Sequence, residues 1–306
     1  MFVFVAKRIV SLILVLWIIV TVTFLMLNAV KGGPFDRERR FPPAVEKNLR
    51  ARYRLDDTLW QRYWAYIGGV VRFDFGPSFI YEDKTVNDII RDNWAKSAML
   101  GVISVLISLS LGVPAGVAAA LNQNRLADQA TMFVSIVFVS VPNFVLAAIL
   151  IHIFVNKLRW VPLGWGGPER MILPSLSLSA FSLAYIARMT RASMLETMRS
   201  DYIRTARAKG LSRTRAVVRH ALRNALLPVV TYLGPLLAAV ATGSFVIETF
   251  FGIPGLGRYF VYGIENRDHG VVLGLAVLYS TLLVTMNTIV DVLYVWLDPR
   301  IKLGAA

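Results

Sequence analysis

The 306-residue chain contains no cysteine, which excludes a disulfide framework, a thiolate nucleophile, a zinc–thiolate centre and a cysteine-held iron–sulfur cluster. Charge is scarce as well. Asp, Glu, Lys and Arg make up 17% of the residues against 56% hydrophobic ones, and the mean hydropathy is +0.57. Soluble domains are about 45–50% apolar and about 25% charged, and disordered chains are less apolar still, so neither class fits. Signatures of bond chemistry are missing too. There is no G-x-x-x-x-G-K-[ST] phosphate cradle, no H-E-x-x-H pair and no G-x-S-x-G elbow, and His152, His220 and His269 stand far apart in sequence.

What the chain does have is long stretches without Asp, Glu, Lys or Arg. They cover residues 9–30, 97–121, 129–156, 171–187, 224–247 and 269–290. A hydrocarbon core about 30 Å thick needs about 20 apolar helical residues, so the fold class is an all-α integral membrane protein with six transmembrane helices. Residues 1–30 form a tail and the first span, 31–96 an outer loop, and 97–306 the core. The fourth stretch is the shortest. Pro114, Pro142, Pro174, Pro228 and Pro235 fall within the stretches, where neighbouring helices must satisfy the backbone groups that proline frees. Lys7 and Arg8 ahead of the first stretch imitate a secretory signal. Its 22 residues, however, exceed the roughly 7–15 of a signal core and no A-x-A-like cleavage site follows, so a retained helix is expected.

Basic residues set the orientation. With the N-terminus inside, the short inner segments hold fifteen Lys and Arg and the short outer loops five, Lys157, Arg159, Arg170, Arg258 and Arg267. Both termini are therefore expected on the cytoplasmic side, and Trp94, Trp160 and Trp165 then fall near outer span ends, where indoles suit the headgroup layer. The outer loop carries thirteen basic and ten acidic residues and so does not read as a polyanion-binding arm. Within it, Leu55 to Tyr66 reads as a short amphipathic helix.

More than half of the net charge of +14 sits in the inner segment 188–223, where ten basic residues face two acidic ones, Glu196 and Asp201. Positive-inside topology and attraction to anionic membrane lipid account for some of that excess. Periodicity adds more: Met194, Met198, Tyr202 and Ala206 recur every four residues, Gly210 offers a stop, and Ser212 can cap a second helix through Val217, Val218, Ala221, Leu222 and Ala225. The expected product is a helix–glycine–helix knob carrying Arg204, Thr205, Ala206, Arg207, Lys209, Gly210, Leu211 and Ser212. Nucleic acid is not its partner, because the segment has one aromatic, Tyr202, and no stacking platform. Glu248, Pro254, Gly255 and Gly257 mark an outer gate or tight turn that lacks the lysine of a phosphate site.

The run Asp201-Tyr202-Ile203-Arg204-Thr205-Ala206-Arg207-Ala208-Lys209-Gly210-Leu211-Ser212, followed by Arg219-His220-Ala221-Leu222-Arg223-Asn224, resembles the EAA loop of bacterial ATP-binding-cassette importer permeases. The likeness is to the B-type permease subunit of oligopeptide and dipeptide importers. Asp74-Phe75-Gly76-Pro77-Ser78-Phe79, Glu248 to Phe251, Pro254-Gly255-Leu256-Gly257, Asn266-Arg267-Asp268 and Leu297-Asp298-Pro299-Arg300 extend it over nearly the whole chain. In the general pattern, E-A-A, three residues, Gly, nine residues, I-x-L-P, the matches are Ala206, Gly210 and Leu222. Arg204, Thr205, His220 and Arg223 depart from it. The resemblance implies a type I ABC importer permease fold in the inner membrane, with no cofactor of its own. Its implied partners are a homologous second permease, two cytoplasmic ATPases that use ATP and Mg, and an extracytoplasmic peptide-binding protein. The alternatives are a permease for dipeptides, nickel or another small solute, and an ion-coupled secondary transporter. The latter needs charged groups inside its spans, yet the stretches hold none beyond titratable His152, with Glu248 and Asp291 just past the ends of the fifth and sixth.

Overall fold

The computed structural model describes residues 2–29, 56–81, 83–241 and 243–297, the side chains of 2–9, 241 and 290–297 excepted. Leu55, most basic residues of the 31–96 loop and the Asp298-Pro299-Arg300 tail therefore lie outside the described residues, as do the side chains of Lys7, Arg8 and Asp291. Among those described, the regular elements are all helices, with one isolated antiparallel bridge, Pro77 to Thr85. Four of the described helices are long and apolar enough to cross a membrane, or up to six spans if each of two bent helix pairs counts as one.

Helix α1 (Phe2–Ala29) is followed by α2 (Leu59–Val71). The expected start at Leu55 shifts to Leu59 because Thr58 and Gln61 form a reciprocal capping box, which spends two of the orphan N–H groups of the first turn. Helix α3 (Val86–Leu121) starts eleven residues before the expected span for the same reason, with Thr85 and Asp88 as the box. Its added turns bury Val86, Ile89 and Asn93 on one face.

The stretch expected as one span at 129–156 is two helices, α4 (Leu126–Ser140) and α5 (Asn143–Lys157, π-helical from Ile151), bent by 103°. Pro142 lacks an amide donor and holds Val141 extended, so the helix cannot continue through it. Helix α6 (Pro168–Met198) runs well past 187, so Arg188, Arg191 and Glu196 extend a membrane helix rather than opening a loop. After α7 (Asp201–Ala208) and the helical run α8 (Arg213–Ala225), α9 (Leu227–Ala241) bends by 45° from α8. It ends before the expected 247, since Gly243 takes φ +80° and Ser244 caps α10 (Phe245–Phe251). Helices α11 (Leu256–Glu265) and α12 (His269–Leu297) complete the described elements.

The most extensive packing joins α3 to α6, and α9 then packs on α12 and α3. Small residues make the first contact close. A Cβ on Gly112 or Gly116 would meet the Leu183 or Ala187 carbonyl oxygen at 2.8 or 2.5 Å, and the Ser108 hydroxyl donates to the Ser179 carbonyl at 3.2 Å. Backbones this near replace the hydrophobic effect that a lipid solvent cannot supply.

Candidate functional site

Two places stand out, one at each end of α3. At its C-terminal end, α6 stops at Met198, and Ser200 adopts the extended conformation of an N-cap ahead of Asp201. Met194 and Met198 therefore belong to α6, while Tyr202 and Ala206 belong to α7, so the four-residue face expected across them is split between two helices. The side chain that anchors α7 is Ile203. It is buried with Met194, Ala120, Val217, Ala221 and Ala225, which seats the short helix on the ends of α3, α6 and α8. The readable signal was Ser200-Asp201, a cap residue followed by an acid in the first helical turn.

Gly210 closes α7 at φ +87°. Its N–H donates to the Arg207 carbonyl at 3.0 Å and the Leu211 N–H to the Ala206 carbonyl at 3.2 Å, the paired closure of a left-handed helix end. Ser212 then caps α8, accepting from the Arg215 N–H at 3.4 Å. Around this turn Arg204, Thr205, Arg207, Lys209, Gly210 and Ser212 are exposed, and Ala206 and Leu211 are half-buried. Arg204 and Asp201 form only a loose pair at 3.6 Å with both side chains in solvent, which adds little stability. Two contacts tie the knob down: Asn224 donates to the Tyr202 hydroxyl at 2.8 Å, and Arg213 donates to the Leu121 carbonyl at the end of α3 at 3.1 Å. The result is a stiff, cationic projection.

Beside it lies a pair that the charge-free stretches hid, because both members sit just beyond their ends. Asp128 is 3% exposed and accepts from the Arg191 Nε and, at 2.7 Å, from its Nη2, while the Asn124 N–H donates to Asp128 at 2.9 Å. This fork pins the α3–α4 turn to α6.

Toward the N-terminal end of α3, Glu248 is fully buried on α10. The Ser97 hydroxyl of α3 donates to its Oε1 at 2.8 Å, and the N–H groups of Gly257 and Arg258, in the first turn of α11, donate to its carboxylate, Arg258 at 3.2 Å. Ser97 in turn accepts from the Leu256 N–H at 2.8 Å. Burial raises the carboxyl pKa, and these donors only partly oppose it. Pro254 and Gly255 lead directly into α11, so the expected turn also opens a helix, whose positive N-terminus is occupied by the chain's own carboxylate. Gly255 and Gly257 leave room for it: a Cβ at Gly255 would sit 2.5 Å from the Glu248 Cδ, and one at Gly257 2.6 Å from the Phe245 nitrogen. Nothing in the spacing of residues signals that Ser97, 151 residues away, is the partner of Glu248.

The chain has known relatives. Residues 112–303 match the family described as the binding-protein-dependent transport system inner membrane component, and residues 1–98 match the N-terminal family of such membrane components. The chain is 45% identical to the oligopeptide transport system permease protein OppB of Haemophilus influenzae over 302 residues, 98% of this chain and 99% of that protein. It is also 45% identical to the dipeptide transport system permease protein DppB of Bacillus subtilis over 298 residues, 97% of each. Two solved structures share the fold: an inward-facing MetNI methionine ABC transporter (TM-score 0.56, 19% identity, 69% of this chain and 96% of that one) and an amino acid ABC transporter with histidines (TM-score 0.55, 15% identity, 68% and 94%). With both family matches and near end-to-end relatives, the chain belongs to the binding-protein-dependent transport system inner membrane components and is a multi-pass membrane protein of the OppB/DppB-like permease type.

Proposed function

We propose that the chain is a non-catalytic membrane subunit of an ATP-driven importer of oligopeptides, lining half of the passage. The observation that carries this reading is the 45% identity, sustained along almost the whole length, to permeases named for oligopeptides and for dipeptides. In it, a homologous permease supplies the other half. Two cytoplasmic ATPases consume ATP and Mg, an extracytoplasmic binding protein delivers the peptide, and both termini face the cytoplasm. The Gly210 knob is the handle by which the ATPases move the spans. It suits that task because Ile203, Tyr202 and Arg213 fix it to the ends of α3, α6 and α8, so a push on exposed Arg204, Arg207 or Lys209 reaches the helices as rigid-body motion. The Glu248 cage holds α10 and α11 to the outer half of α3 and sets the geometry of the opposite gate.

Reconstitution tests this. Uptake of a labelled tripeptide into vesicles should require the partner permease, both ATPases, ATP and the binding protein, and the chain alone should show background ATP turnover. Robust ATPase activity or proton-driven uptake by the pure chain would overturn the reading, and uptake of nickel without peptide would move it to another substrate.

A further inference from the structure

Two cavities meet where α1, α2 and α12 converge, and no residue of α6, α10 or α11 lines either. The first, of about 420 Å³, is walled by Asn28, Arg62, Tyr66, Asp74 and His269 among others. The second, of about 140 Å³, is a groove walled by Trp17, Leu25, Leu59, Trp60 and Trp64. Its two hydroxyls, Thr21 and Tyr63, bond to one another at 2.8 Å and leave the rest of the wall apolar. Phe24 lines both, so a polar chamber adjoins an apolar groove.

The chamber carries two buried atoms without a hydrogen-bond partner, the Tyr66 hydroxyl and the His269 Nδ1. His269 is 9% exposed, and its ring is held edge-on to Phe79 with centroids 6.0 Å apart. Buried polar atoms are rarely left unpaired, so each marks a place for a ligand atom. The Arg62 guanidinium, a phenol and an imidazole are the donor set of a phosphate site, and the Asp74 carboxylate suits an ammonium. Trp17 and Leu25 of α1 and Trp60 of α2 are each about half or more exposed, and α1 is one of the helices apolar enough to cross a membrane. A polar chamber for both charges beside a hydrocarbon groove matches an amphiphile. A peptide also carries both charges, but it has no use for a groove that opens to lipid.

We propose that chamber and groove hold one phosphatidylethanolamine, its phosphate at Arg62, Tyr66 and His269, its ammonium near Asp74 and an acyl chain along Trp17, Leu25 and Trp60. The full chain, purified in mild detergent with the subunits it carries, should retain this lipid in native mass spectra. Arg62→Ala should lower retention by about tenfold, the loss of one charge-assisted contact. Tyr66→Phe removes an oxygen that has no hydrogen-bond partner in the protein, so it should fold normally and still lower retention. Added phosphatidylethanolamine should restore the bound species better than phosphatidylglycerol of the same chains. Absence of retained lipid, equal retention by folded Tyr66→Phe and wild type, or no preference between the two lipids would overturn the proposal. Displacement by excess inorganic phosphate would overturn it in favour of a simple anion site, and displacement by a tripeptide in favour of a peptide site.

Discussion

Gly210 offers the sharpest test of the knob. Its φ of +87° is left-handed, and a Cβ built there meets nothing within 4 Å, so a substitution pays a backbone cost and no clash. For an L-residue that cost is about 1–2 kcal/mol, lower for Asn and higher for a β-branched side chain. The alternative is to open the turn, which gives up the Gly210-to-Arg207 and Leu211-to-Ala206 bonds and turns α7 away from α8. A shift of 1–2 kcal/mol changes the ratio of closed to open turns by about 5–30-fold. Peptide uptake and ligand-stimulated ATPase, measured on membranes with equal protein, should therefore rank Gly, Asn, Ala and Val in falling order. Insertion should be unaffected, because the turn lies outside the spans. Leu126→Val, at an 83% exposed site at the start of α4 beside the knob, is the control and should change little. Wild-type transport by Gly210→Val, or a ranking in which Asn is worse than Val, would show that this turn does not carry the coupling. A reading in which the +8 segment only fixes topology predicts no loss at all, since every charge remains.

Because the chain has no cysteine, Val71→Cys and Leu126→Cys, 73% and 83% exposed in the parent, are clean reporters: an impermeant maleimide on intact cells should label 71 and spare 126, and the reverse would end the N-inside orientation. Asp128→Ala strands the Arg191 guanidinium, whose side chain is only 23% exposed, and should cost about 3 kcal/mol in detergent unfolding; Asp128→Ala with Arg191→Leu should recover part of it, and equal losses in single and double variants would refute the pair. Glu248→Ala orphans the Ser97 hydroxyl and the Gly257 and Arg258 N–H groups and should abolish uptake, whereas Glu248→Gln keeps an acceptor for the N–H pair and should retain much of it; identical behaviour of the two would discount the cage. Gly116→Ala places a Cβ 2.5 Å from the Ala187 carbonyl oxygen and should destabilise by about 1–3 kcal/mol, while Gly68→Ala, in open space on α2, should be neutral or slightly stabilising in the same melt.

The sequence made the membrane class, the site of the knob and the glycine that shapes it legible, because each rests on local chemistry: apolar run length, charge density, and a glycine between two helical periods. Its errors came where a local rule met a second local rule. The 129–156 stretch has the composition of one span, but Pro142 breaks it, and composition does not report direction. Residues 188–198 are charged and so read as loop, yet the helix continues until Ser200 offers a cap. What stayed invisible was long-range. Ser97 looks like one more small residue in an apolar run, and only the fold brings its hydroxyl to Glu248. Asp128 and Arg191 sit at the edges of two stretches, each a plausible interface charge, and nothing in their spacing says that they meet.

Helix α3 connects these separate findings. From Ser97 to Leu121 it covers 25 residues, about 36 Å of rise, enough to cross a hydrocarbon core about 30 Å deep. Its N-terminal part is bonded through Ser97 to the carboxylate that holds α10 and α11, and its last carbonyl receives Arg213 from the knob. Between those ends it cannot slide freely on α6, because Gly112 and Gly116 put its backbone against the Leu183 and Ala187 carbonyls. The weak point of such a strut is Pro114, which leaves the Ser110 carbonyl without its helical donor, but it lies on the exposed face between Gly112 and Gly116, whose opposite face is held against α6. A displacement of the knob therefore has two physical outlets: α3 and α6 move together as one body, or the α3–α4 turn yields at Asp128. The Asp128–Arg191 fork closes the second outlet by tying that turn to α6 as well. That leaves the pair to move as a unit and to carry Ser97, with the Glu248 cage bonded to it, at the far face.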